Sequence, residues 1–122
     1  MRLLFVPVLG PIKVVDVSEN ALLDKAYELL DCYCVENVYI CGNRYIMLVD
    51  ESGKLCDPPK RINLRVSPLY GGYPDDLIVG SALIGKFGFT ENGPDLVGLN
   101  EYDIALFKNH FGPLSFEGNE VC

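Results

Sequence analysis

Basic residues are scarce in this chain: 10 Lys and Arg stand against 17 Asp and Glu across 122 residues, a formal charge of −7. A general DNA or RNA coat needs the opposite balance, because neutralising phosphates draws on excess Lys and Arg. Histidine is scarcer still, with His110 alone, and no serine sits in the G-x-S-x-G setting of a hydrolase nucleophile. Gly71 and Gly72 are not followed by G-K-[ST], and Gly80, Gly85 and Gly88 do not fit G-x-G-x-x-G, so the phosphate-loop motifs are missing. No stretch approaches the roughly 18 apolar residues that a membrane-crossing helix needs. The N-terminal run MRLLFVPVLGPIKVV is broken by Pro7, Gly10 and Pro11 and followed by no small-residue cleavage site, so it predicts a buried strand rather than a signal peptide. Repeats and low-complexity tracts are absent.

Paired cysteines are lacking too. The five are Cys32, Cys34, Cys41, Cys56 and Cys122. An odd number at irregular spacing makes a poor secreted disulfide framework and favours a reducing cytoplasm. Cys32-x-Cys34 is tighter than a zinc knuckle and no second knuckle follows, so free thiols are expected and no metal or other cofactor is implied.

What the sequence does contain is apolar patterning: 49% of its residues are hydrophobic, and its length suits a single domain over residues 1–122. Leu3 to Leu9 and Ile12 to Val17 read as two strands around a Gly10-Pro11 break. Ser18 or Asn20 is expected to cap a helix with Leu22, Ala26, Leu29, Leu30 and Tyr33 on one face and Asp24, Glu28 and Asp31 near the other. Val35 to Cys41 and Arg44 to Val49 predict a hairpin across Gly42-Asn43. A Pro- and Gly-rich stretch then predicts a long loop, followed by a Gly-punctuated strand over Leu77 to Phe89. Asn100 is expected to cap a closing helix to about His110, with Leu99 and Ile104 as a hydrophobic staple and Gly112-Pro113 as the stop. The order is β-β-α-β-β-loop-β-α, an α+β fold with a mostly antiparallel sheet and two helices.

Four segments then carry a resemblance: Gly10 to Val17; Asp50-Glu51-Ser52-Gly53-Lys54-Leu55 with the Pro-Pro-Lys-Arg-Ile-Asn run after it; Asp76 to Gly85; and Leu99 to Ile104. Their order resembles a family of small phage- and plasmid-borne proteins classed as a domain of unknown function, over roughly residues 10 to 111. The resemblance implies a mobile-element accessory protein and transfers no catalytic residue.

No constellation for catalysis emerges from the residues. His110 suits the C-terminal dipole of its helix, and the carboxylate pairs Asp50-Glu51 and Asp75-Asp76 lie where turns favour Asp. The charge map says more. Residues 16–36 hold six acidic side chains and one Lys, as do residues 91–122, while Lys54, Lys60, Arg61 and Arg65 place four cations within twelve positions. Two expectations follow. The first is a non-enzymatic inhibitor of host defence, of anti-CRISPR or anti-restriction type. It would bind a host protein through the acidic residues Asp24, Glu28, Asp31, Glu101 and Asp103, with no direct nucleic-acid or membrane partner. The second is a small-molecule binder, a sponge for a nucleotide immune signal, using Lys54, Lys60, Arg61, Arg65, Tyr70 and Tyr73. Nothing in the sequence opposes a homo-oligomer.

Overall fold

Runs of aliphatic and aromatic residues, buried on both faces in the central strands, build the sheet. In a computed structural model, which describes residues 1–56 and 58–117, Arg2–Val6 (β1) and Lys13–Asp16 (β2) pair antiparallel. Val35–Ile40 (β3) and Tyr45–Asp50 (β4) form a second antiparallel pair, and Ala82–Thr90 (β5) lies between β1 and β4. The strand order is β2-β1-β5-β4-β3. A sixth strand, Gly93–Val97 (β6), pairs with the C-terminal half of β5, continuing the edge that β1 begins. The fold is therefore the expected α+β arrangement with one strand more. Pro94 and Asp95 hid that strand, because both are poor strand residues, and Pro is tolerated here at an edge.

Each face of the sheet carries its own core. On one side Leu3, Ile46, Leu48, Leu83 and Leu96 pack beneath the helix Leu22–Leu30 (α1), which contributes Ala26 and Leu30. On the other, Leu4, Met47, Val49 and Ile84 meet Ile104 and Phe107 of the helix Glu101–Phe111 (α2), together with Val66 and Ile78 from the long loop.

The expected helices hold, with shifted ends. A 3-10 turn over Glu19–Ala21 precedes α1, and Ser18 makes no side-chain cap. Asp31 closes the helix in the left-handed conformation, so Tyr33 falls outside it and is 95% exposed rather than on the apolar face. Asn100 caps α2 as predicted and forms a reciprocal capping box with Asp103. The β3–β4 connection is four residues, Cys41 to Arg44, rather than two, with Cys41, Gly42 and Asn43 all at positive φ. Strand β5 starts only at Ala82, because Gly80 at φ +77° turns the chain just before it. Among the described residues no helix is long and apolar enough to cross a membrane.

Candidate functional site

Three of the four cations of the basic loop have partners within the chain. The Lys60 ammonium lies 2.8 Å from the Asp50 carboxylate and donates to the carbonyls of Leu30 and Asp31, each at 2.7 Å. Helix α1 has no basic residue in its last turn, so Lys60 supplies from the loop the cation that a helix C-terminus favours. Lys54 pairs with Asp76, and the Tyr70 hydroxyl donates to the same carboxylate at 3.2 Å. Those bonds, the Lys54 one foremost, hold the Asp76 carboxyl below its usual range, and the same carboxylate pushes the Tyr70 phenol up. Arg65 donates to the carbonyl of Pro7 at 3.1 Å. Lys54, Arg61 and Tyr73 are the exposed members of the set.

The cleft between this loop and the sheet is about 100 Å³ and is lined by Glu36, Asp50, Glu51 and Asp76 against Lys54. Carboxylates dominate it, which disfavours a phosphate. Asp50 and Asp76 also accept backbone N–H bonds from Ser52 and Leu77, as turn residues do. Lys60→Met is expected to lower stability by about 2 kcal/mol, because it strands the largely buried Asp50 and uncaps α1. Urea unfolding of the variant against the wild type measures this.

The acidic residues divide between two faces. Asp24, Glu28 and Asp31 are exposed on α1, while Glu101 is exposed on α2 across the sheet. Asp103 is not a surface residue at all, being 1% exposed. It accepts from the Tyr45 hydroxyl at 2.7 Å and from the Asn100 N–H at 2.9 Å, with the Lys86 ammonium 3.4 Å away. As the third residue of α2 its carboxylate turns back to cap the helix, which draws it into the core and out of any partner surface.

A groove on the α1 side gathers what the sequence scattered. Helix α1 is about 10 Å wide, whereas five strands at about 4.8 Å spacing span roughly 20 Å, so one short helix leaves half the face open. The uncovered part holds a cavity of about 520 Å³ floored by Leu22, Leu48 and Leu96 and rimmed by Glu19, Asp24 and Asp95, with no basic side chain among its described lining. Next to it Tyr39, Phe87 and Phe89 form an edge-to-face row with ring separations of 5.9 and 5.5 Å. Register puts this row on the open face: Tyr39 lies opposite Ile46 and Phe87 opposite Leu96. Tyr39 is 49% and Phe89 76% exposed, a patch of the kind that marks an interaction surface. In the sequence these aromatics fall inside the expected strands and were not singled out. The period-two spacing of Phe87 and Phe89 with Leu83 was the available signal.

Residues 1–112 match the profile of a family described as a domain of unknown function (DUF3846). The chain belongs to this family. The match takes in the four segments that suggested such a family from sequence and extends to the first residue. No curated protein and no solved structure matches the chain. The acidic groove, the aromatic row and the self-paired basic loop are thus features of a DUF3846 domain.

The histidine and the described cysteines singled out from sequence fall elsewhere in this DUF3846 domain. His110 lies on the exposed flank of α2, lining a cavity with Cys41 and Arg44 that neither carboxylate pair reaches. Cys32, Cys34, Cys41 and Cys56 are free, and burial raises the thiols of Cys32 and Cys41 above their usual range. Cys122 lies outside the described residues. Among the described residues no three Cys, His, Asp or Glu side chains are grouped to hold a metal ion.

Proposed function

We propose that this protein is a non-enzymatic binding module that counteracts host defence as an accessory of a mobile genetic element. In this reading it seats its open sheet face on the basic nucleic-acid channel of a host defence complex. One observation carries it: an acid-rimmed groove and an exposed aromatic row share one sheet face, joined where Phe87 lies opposite the groove residue Leu96. Tyr39, Phe87 and Phe89 supply the desolvated anchors on which binding energy concentrates. Glu19, Asp24 and Asp95 supply a potential complementary to Lys- and Arg-rich channels, which speeds encounter and fixes register. The nucleotide-sponge reading has less support, since Lys54, Lys60 and Arg65 already have partners within the chain.

The test is a titration against purified guide-loaded nucleases and restriction complexes, started at low salt and repeated as salt rises. Saturable binding that weakens with salt is expected, and joint replacement of Asp24 and Asp95 by Lys is expected to cost about tenfold or more in affinity. Absence of binding at low salt to every such complex removes the proposal.

A further inference from the structure

On the opposite side of the sheet the charge pattern inverts. Helix α2 presents Tyr102, Leu106 and His110 at i, i+4 and i+8, a single stripe along one flank. Facing that stripe are the β3–β4 turn, which carries Arg44, and Lys86 of β5, which lies directly opposite Tyr45. Between the two walls are adjoining cavities of about 200 and 330 Å³, which share Arg44, Tyr45 and Leu106 as common lining. His110 lines the first, while Lys86 and Tyr102 line the second.

Two cations, Arg44 and Lys86, and the His110 imidazole thus meet in one trough of a protein whose net charge is −7. Among the described lining residues Asp103 is the one carboxylate, and it is spent on its own contacts: the α2 cap, the Tyr45 hydroxyl and Lys86. The Arg44 guanidinium has no carboxylate within ion-pair distance among the described residues. Its field is felt locally, since it opposes the upward push that burial gives the Cys41 thiol beside it. A planar, always-charged donor fork left free at the mouth of a cavity suits a tetrahedral oxyanion. The rest of the trough, with Leu106 and the Tyr102 ring, offers an apolar and stackable wall for a small body attached to that anion.

We infer that the trough between α2 and the β3–β4 turn is a binding site for a small phosphate-bearing ligand, with Arg44 and His110 on the phosphate and Tyr102 and Leu106 against its organic part. Its described lining takes Leu69 from the loop of residues 54–73 and Phe87 from the aromatic row but none of that loop's cations and none of the acidic groove's residues, and it stands or falls independently of the proposed protein partner.

The experiment is a two-dimensional NMR titration of the full chain with inorganic phosphate, a nucleoside monophosphate and, as a control anion, a small dicarboxylate. Saturable shifts confined to residues 41–45, Lys86 and the 102–110 flank are expected with phosphate, tighter with the nucleoside monophosphate, and weaker with the dicarboxylate. Arg44→Ala is expected to weaken nucleoside monophosphate binding by about tenfold or more, and His110→Gln by less. Both side chains are exposed, so both variants are expected to melt with the wild type, whereas Arg61→Ala in the loop is expected to bind normally. The inference is overturned if neither phosphate ligand gives saturable shifts in the trough. It is equally overturned if the dicarboxylate binds as tightly as phosphate, or if Arg61→Ala abolishes binding while Arg44→Ala does not.

Discussion

Replacing Asn63 by alanine is expected to lower the unfolding free energy by about 4 kcal/mol, a large share of the 5–15 kcal/mol typical of a small domain. Asn63 is fully buried, and all of its side-chain capacity is used. Its amide donates to the carbonyls of Val6 and Gly80, both at 3.0 Å, while its oxygen accepts from the N–H groups of Arg65 at 3.1 Å and Val66 at 3.3 Å. One side chain thereby ties the long loop to the end of β1 and to the turn before β5. Alanine leaves four backbone groups without those partners, at about 1–3 kcal/mol for each that stays dry, with water entry recovering part of the sum. Asn63→Asp is expected to be comparably damaging, because a carboxylate would face two carbonyl oxygens. The neighbouring Leu64→Ala, at an exposed position, serves as the control and is expected to stay within about 0.5 kcal/mol of wild type. Urea midpoints at constant slope decide the matter.

Asp103→Ala is expected to cost about 3 kcal/mol. It removes the reciprocal half of the α2 capping box, orphans the Tyr45 hydroxyl and leaves Lys86 without its counter-charge. Tyr45→Phe breaks one of these contacts alone and is expected to cost roughly half as much. The pair also shapes the acid response. Burial pushes the Asp103 carboxyl up, but the Asn100 N–H, the Tyr45 hydroxyl and Lys86 outweigh it, so it titrates below its usual range. Burial first, and then the bond to Asp103, drive the Tyr45 phenol far above its ordinary value. A carboxyl whose pKa is lower folded than unfolded stabilises the fold fully above the unfolded value of about 3.9 and loses that contribution as pH falls through the folded one. Wild-type stability is therefore expected to fall off below about pH 4, and Asp103→Asn to show a flatter profile there. Thermal melts across an acid pH series check both slopes.

Strands β1 to β4 and the core of β5 were legible because runs of Val, Ile, Leu and aromatic residues between turn residues are a local signal, and α2 was legible because Asn100, Leu99 and Gly112 signal its ends within a few residues. Strand β6 was not, since Pro94 and Asp95 argue locally against it and only the ladder to β5 overrides them. The roles of Asn63 and Lys60 leave no local trace either: their partners Val6 and Leu30 lie 57 and 30 positions away. The same distance problem split the candidate site. Asp24 stood out within an acidic block, but Asp95 and the aromatics Phe87 and Phe89 join it only once the sheet has formed. Asp103 misled in the opposite way, since its sequence position in a first helical turn suits both a solvated acid and a buried cap, and packing against Tyr45 and Lys86 chose the cap.

The net charge of −7 therefore describes three different surfaces: an acidic groove beside α1, a basic loop whose two lysines pair with Asp50 and Asp76, and a cationic trough beside α2. The most direct test of the central claim compares affinities for a bound host defence complex at low salt. The wild type, a groove variant carrying Phe89→Ser with Asp24→Asn, and the loop variant Arg61→Ala are measured side by side. The account predicts that the groove variant loses about tenfold or more while the loop variant binds as the wild type does. Loss of binding in the loop variant with the groove variant unaffected would contradict it.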